Sequence, residues 1–368
     1  VRPVVSLGVG PAAVLLATAA LADPLSYSDA SGDVIFYGQL SPTYLGFDDG
    51  EESFGNLADN DISNSLVGFI LDWRIGAGVG LRFNLEASIG APQSSAFSQG
   101  FEPIWEWDKT DLRHFELILD TAFGKLSAGQ GSMATDGTPE QDLSGTSLAG
   151  YVSRSDTAGG YFLRQSSGDL SDINIGSAFM DYNGGRQFRV RYDTPEYSGF
   201  SAAAAYGVDI LTEGDDNDYY DIAVNYGGEL GATTVAASLG WSWVHDPDTG
   251  DTTNRRLGSI SVLHKPSGLN ATVAAGAEPD AGSYVYGKLG WIGDVLAVGS
   301  TAVAVDYYNG EDLGMDGSSS RSWGVEAVQS FDKAKIDAYV GWISYAYDDD
   351  AASYRDASST MVGMRWTF

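Results

Sequence analysis

Ser359-Thr360-Met361-Val362-Gly363-Met364-Arg365-Trp366-Thr367-Phe368 closes the chain. Large apolar residues (Val362, Met364, Trp366, Phe368) alternate there with small or polar ones (Gly363, Arg365, Thr367). A strand sends successive side chains to opposite faces, so one face of this segment is greasy and aromatic-tipped and the other polar. Water offers Trp and Phe at a strand end no cover. A barrel strand in lipid requires such a face, with aromatics at the membrane boundary. The stretch therefore predicts a membrane-spanning strand, and the rest of the chain is weighed against that expectation.

The 368 residues include no Cys, which removes disulfide frameworks and thiolate metal sites. Fifty acidic and 20 basic residues give a formal charge of −30, and phosphate binding needs Lys and Arg, so nucleic acid is excluded as a partner. Gly (47), Tyr (20) and Trp (9) are abundant while Pro (11) is sparse, which favours strands and tight turns over helices. At the N-terminus, Arg2 precedes an apolar run from Val4 to Leu21, and Ala20-Leu21-Ala22 is an A-x-A cleavage site before Asp23-Pro24. Residues 1–22 thus read as a signal peptide for export, and 23–368 as one outer-membrane barrel domain. Beyond residue 22 no apolar stretch approaches the ~20 residues of a transmembrane helix, whereas barrel strands are short and only half apolar.

The remaining chain keeps one rhythm of strand, short turn, strand, long polar loop. Leu66–Arg74 and Val79–Ile89 flank Gly76-Ala77-Gly78; Arg256–His264 and Leu269–Ala277 flank Lys265-Pro266-Ser267-Gly268; Trp323–Phe331 and Lys335–Tyr345 flank Asp332-Lys333-Ala334. Gly, Pro and Asp at these joints are the residues that turns require. Counted this way, with Val34–Phe47 as the first strand and Asp48–Asn64 as an acidic loop, the chain predicts about sixteen strands, an even number as bacterial barrels have. Phe188, Val190 and Tyr192 oppose Gln187, Arg189, Arg191 and Asp193; Leu81, Phe83 and Leu85 oppose Arg82, Asn84 and Glu86. A barrel of this size predicts a wet interior able to solvate such charges. A soluble β-sandwich is the competing fold, but the strict alternation of short and long joints favours the barrel.

Three segments carry a family resemblance: Phe123-Gly124-Lys125-Leu126-Ser127-Ala128-Gly129-Gln130-Gly131, then Val190-Arg191-Tyr192-Asp193-Thr194-Pro195-Glu196-Tyr197-Ser198-Gly199-Phe200-Ser201, and the terminal Phe368. In this order they resemble a Gram-negative general diffusion porin, most similar to the alphaproteobacterial porins. The resemblance implies an all-β transmembrane antiparallel barrel, a homotrimer in the outer membrane, and a third loop folded into the channel. The interval from Ser132 to Arg186 is the longest joint and the natural candidate for that loop. It carries Asp136, Glu140, Asp142, Asp156, Asp169, Asp172 and Asp181, with Arg154 and Arg164. The family sets loop acids against arginines of the wall, for which Arg74, Arg82, Arg113, Arg189 and Arg191 are the candidates here. Opposed charges across a narrow wet gap make a transverse field that favours small hydrophilic solutes and ions. The net charge favours cations. No Pro-Glu-Phe-Gly loop tip is present, which leaves the loop's path open.

Asp48, Asp49, Glu51 and Glu52 are the candidates for structural Ca²⁺ or Mg²⁺, which would bridge to lipopolysaccharide phosphates. No cofactor is expected. The three histidines (His114, His245, His264) lie in no nucleophile or zinc motif, so the chain reads as a non-enzyme. A passive pore is the leading function. A substrate-selective channel and a structural or adhesive barrel are the alternatives.

Overall fold

The computed structural model describes residues 25–76, 78–279 and 281–368. The expected signal segment and its cleavage point lie outside the described residues. The first part of the chain forms β1 (Leu25–Ser28), β2 (Gly32–Leu40), β3 (Pro42–Asp48), β4 (Ser53–Asp59), β5 (Leu66–Gly76), β6 (Val79–Ser88), β7 (Leu112–Thr121) and β8 (Gly124–Ser132). A small hairpin of β9 (Phe162–Arg164) and β10 (Leu170–Asn174) stands apart from the main sheet. There follow β11 (Arg186–Asp193), β12 (Phe200–Val208), β13 (Asp218–Leu230), β14 (Thr233–His245), β15 (Thr252–His264) and β16 (Leu269–Glu278). The last are β17 (Gly282–Leu296), β18 (Gly299–Glu311), β19 (Ser319–Phe331), β20 (Ile336–Asp348) and β21 (Ala357–Thr367).

Wall strands pair antiparallel with their sequence neighbours, and β8 pairs with β11 across the long loop. The circle closes where β21 pairs with β3, from Ser358↔Asp48 to Gly363↔Thr43, and meets β2 at Trp366↔Leu40. Because β2 with β3, and β4 with β5, each form one broken stave, the closed wall has 16. β1 pairs with β2 on the edge that β21 reaches, prolonging the line of β21.

Alternation decides which face of each stave meets lipid. On β7, Phe115, Leu117 and Leu119 point outward between inward Glu116 and Ile118; on β13, Ile222 and Val224 point outward and Asp221 and Ala223 inward. This exposed apolar belt would cost roughly 25 cal/mol per Å² in water and costs nothing in hydrocarbon.

Three features differ from the sequence reading. Asp48–Asn64 is not one acidic loop: Ser53–Asp59 is a strand, paired with β3 through Phe54↔Phe47 and Leu57↔Tyr44. Its Gly and Asn hide the alternation, and its inward Phe54 and Ala58 pack on a loop distant in sequence. The sequence places the β17–β18 joint in a stretch starting Gly293-Asp294, between Tyr284–Trp291 and Thr301–Tyr308, but the joint is only residues 297–298, because pairing continues through Gly293↔Thr301 and resumes at Leu296↔Gly299 after an irregularity. The interior is also not uniformly wet. Leu45, Phe47, Tyr286, Tyr308, Ile343 and Tyr345 point inward from β3 and β17–β20 and are buried beneath the segment between β8 and β11.

That covering is close. A Cβ at Gly341 on β20 would lie 2.1 Å from the Ala149 carbonyl oxygen of the loop. Gly341→Leu should cost about 1–3 kcal/mol by overpacking, seen as a lower urea midpoint of the detergent-solubilised protein. Gly287→Ala, where the added carbon meets only Thr272 O at 4.0 Å, should leave the midpoint unchanged.

Candidate functional site

The long loop leaves β8 at Ser132 and returns at Arg186, and these two residues face each other in the ladder. With its ends pinned side by side, the loop folds inward and is fastened along the inner wall. Asp221 on β13 accepts hydrogen bonds from Ala134 N (3.0 Å), Thr135 N (2.7 Å) and Thr135 Oγ1 (2.7 Å). The hydroxyls of Ser259 and Ser261 on β15 accept from Gln141 N (3.1 Å) and Leu143 N (2.9 Å). Lys288 Nζ on β17 donates to Asp142 Oδ2 (2.8 Å), Thr146 Oγ1 (3.0 Å) and Gly150 O (2.8 Å). Arg154 forks onto Asp306 of β18 at 2.5 and 3.1 Å, and Asp306 also accepts from Tyr286 OH at 2.8 Å.

These anchors are charged and dry: the side chains of Arg154, Asp306, Lys288 and Glu326 are all 0 % exposed. Such charges persist in an interior only when paired and hydrogen-bonded. Burial works to raise the Asp142 carboxyl, but the Lys288 ammonium outweighs it and holds the group below its usual range. Asp142, expected at the constriction, is therefore an anchor beneath the loop, and Arg154 is another.

Four other acids of the loop lie within electrostatic reach of one another. Asp136, Glu140, Asp156 and Asp181 are half-buried. Asn183 Nδ2 donates to Glu140 at 2.7 Å and to Asp136 at 3.4 Å, while Asp156 accepts from Ser153 Oγ at 3.1 Å and from Tyr151 OH. None of these four carboxylates forms an ion pair with a Lys or Arg among the described residues. Burial, and then the charges of Asp181 and Asp136, push Glu140 well above the usual carboxylate range. Burial and the Asp156 charge push Asp181 up to about 6, and burial raises Asp156.

On the wall the expected arginines are each matched by a carboxylate. Arg113 meets Glu86 at 2.7 Å, Arg189 meets Glu116 at 2.5 Å and Arg191 meets Asp193 at 2.7 Å. Arg189 and Arg191 also brace the loop's base by donating to the carbonyls of Ser132 and Met133. Arg74 and Arg82 lie elsewhere, on the rungs next to the Gly76–Val79 turn, bound to Asp33 (2.5 Å) and to Asp72 (2.7 and 2.8 Å). Neither forms a hydrogen bond or ion pair with the loop among the described residues. Asp169 and Asp172 are exposed near the β9–β10 hairpin at the opposite mouth, where Gln165 bridges to Tyr354 and Arg164 reaches Asp49.

Arg186 was missed as a site residue; its sequence position marks only the loop's end, after Gly184-Gly185. Its guanidinium has no hydrogen bond or ion pair among the described residues, and its Nε is buried without a partner. With Arg113, Asn64, Gln130 and Asp61 it lines a polar cavity of about 430 Å³. Its positive charge works against the upward shift of Glu140.

The candidate divalent-ion residues have protein partners. Asp49 binds Arg164 (2.7 Å), Glu52 lies 3.6 Å from Arg164, Glu51 pairs with Arg355 (3.2 Å), and Asp48 accepts from Gly50 N and Ser53 Oγ. Among the described residues no group of three or more acidic or histidine side chains is placed to hold a metal. His114, His245 and His264 bond Glu116, Thr252 and Ser267.

A closed barrel, greasy outside and narrowed by an inward loop with clustered acids, is a channel of the outer membrane. The chain belongs to the Gram-negative porin family, whose model matches residues 11–364. No curated protein matches the sequence. Among solved structures it is similar to the anion-selective porin of Comamonas acidovorans (18% identity, 92% of this chain and 100% of that one, TM-score 0.59). It is also similar to Salmonella typhi OmpF in complex with daunomycin (12%, 94% and 100%, 0.60) and to Pseudomonas putida OprB (8%, 91% and 94%, 0.61). At these identities the likeness is one of fold.

Removing one partner of the buried clamp tests the anchoring. Asp306→Ala strands the Arg154 guanidinium and should cost about 3–5 kcal/mol. Denaturant unfolding would register the loss, and single-channel records should become noisier as the loop detaches.

Proposed function

We propose that this protein is a passive, water-filled pore for small hydrophilic solutes and ions, that it favours cations, and that it works as a homotrimer without turnover or cofactor. The observation that carries the ion preference is unequal charge compensation. Each wall arginine expected to face the loop is held by a carboxylate, while Asp136, Glu140, Asp156 and Asp181 have no cationic partner. Uncompensated carboxylates in a confined wet gap concentrate cations and repel anions. Arg186 is the opposing charge and moderates that field.

Anion selectivity is a property of the Comamonas protein, and an 18% identical wall does not transfer it. A trimer form is named for Vibrio cholerae OmpT, 14% identical over 92% of this chain, which supports the trimer reading. Export by cleavage after Ala22 completes the proposal.

Planar-bilayer recording tests it. Stepwise currents should appear in simple salts, a salt gradient should give a reversal potential of cation sign, and added sugars should barely block. Saturable block by one solute would instead identify a substrate-selective channel, and an anion-sign potential would reject the charge argument. Arg186→Ala should strengthen the cation preference, and Asp136→Asn should weaken it.

The same measurement has a pH signature. Groups with raised values carry their negative charge only above those values, so the carboxylate of Asp181 is ionised above about 6 and neutral below. Cation preference should therefore fall as pH is lowered from about 8 to about 5. A flat profile would mean that Asp181 and its neighbours do not face the ion path.

A further inference from the structure

Arg256 stands on the outer face of β15, between Leu257 and Arg255, which turn inward. Its rung neighbours are Trp241 on β14 and Ala277 on β16. Unlike Arg255, which pairs inside with Glu278 at 2.6 Å, Arg256 has no ion pair or hydrogen bond among the described residues. Arg321, another outward arginine toward the long-loop rim, is bound by Asp348 at 2.8 Å. Arg256 is thus an unpaired cation on a wall that meets hydrocarbon.

Below it lies an open groove of about 600 Å³ on the outer surface, running down β15 and β16. Small residues (Gly258, Ala275, Ala277) form its floor between Leu239, Ile260 and Val273. Gly258 has a separate backbone reason, since a Cβ there would lie 2.9 Å from Ser238 O. The groove is apolar along its length and cationic at the end nearer the long loops.

An unpaired guanidinium at the edge of a bilayer is costly unless it reaches an anion or the interface. Its planar fork matches phosphate oxygens two at a time. Trp241 beside it is at home in the interfacial belt. With a chain charge of −30, the overall field repels an anionic lipid, so binding here depends on the local pairing. We propose that Arg256 and this groove form a seat for a phosphorylated glycolipid of the outer leaflet, with its phosphate on the guanidinium and one acyl chain along Gly258 and Ala275. The seat rests on the membrane placement of the barrel and is independent of the pore's ion preference.

Native mass spectrometry of the detergent-purified protein tests the seat, with diphosphorylated lipid A as the probe. Wild type should retain bound lipid, Arg256→Gln should bind about tenfold more weakly, and Ala275→Phe should also weaken binding by filling the groove. The dephosphorylated lipid should bind as poorly as the glutamine variant does, and inorganic phosphate should not displace the intact lipid. Equal binding by Arg256→Gln, equal binding of the dephosphorylated form, or full displacement by inorganic phosphate would each overturn the proposal. So would lipid binding only on loss of oligomer, which would mark the groove as an interface between copies. Bilayer currents of Arg256→Gln should match wild type, so failure of the lipid seat is distinguishable from failure of the channel reading.

Discussion

Hydrocarbon offers a peptide group no hydrogen-bond partner, and closure of the sheet answers that constraint. The seam formed by β21 against β3 and the end of β2 leaves the wall without a free edge in lipid. The outward apolar belt, the inward charges and the interior loop all depend on it. An open sheet of the same strands would expose one ladder of unpaired N–H and C=O groups, each costing several kcal/mol in lipid.

Closure also makes an interior too wide for wall side chains to fill. Here it is filled from one side. The loop between β8 and β11 lies against an inward wall of Tyr286, Tyr308, Tyr345 and Phe47, with ring pairs such as Phe47–Tyr161 at 4.1 Å and Phe179–Tyr345 at 5.3 Å. Buried ion pairs fasten its middle, and the Asp221 carboxylate fastens its start. The channel is therefore displaced toward the opposite wall, where Arg113, Arg189 and Arg191 stand with their carboxylates. Among the loop's own carboxyl groups, those that anchor it and those that cluster apart from the anchors are separate sets. Asp142 belongs to the first and Glu140 to the second, although they are two residues apart.

Much of the wall was legible because it is written in local periodicity. Alternation over Gln187–Asp193 and turn residues such as Lys265-Pro266-Ser267-Gly268 act within a few positions, and the strands and short joints fell where those signals lie. Ser53–Asp59 was not legible, because its inward face is satisfied by a loop about a hundred residues away, as in the Asn56–Tyr161 hydrogen bond. Which of the expected site residues come together was legible only in part. Asp136, Glu140, Asp156 and Asp181 lie within electrostatic reach of one another, but Asp169, Asp172, Arg74 and Arg82 lie toward the mouths, and Arg186 was overlooked because its sequence neighbours resemble an ordinary loop end.

By itself the sequence determined a barrel: which segments are strands, which faces are apolar, and that one loop is too long to be a turn. These follow from the two-residue repeat of a strand and from the backbone preferences of Gly, Pro and Asp, which need no knowledge of distant residues. Only the tertiary structure decided which charges are neutralised. Arg189 meets Glu116, and Arg154 meets Asp306, across 73 and 152 positions. Whether a carboxylate keeps an uncompensated charge depends on what the fold brings within a few ångströms of it, and that distance is not encoded in any local pattern.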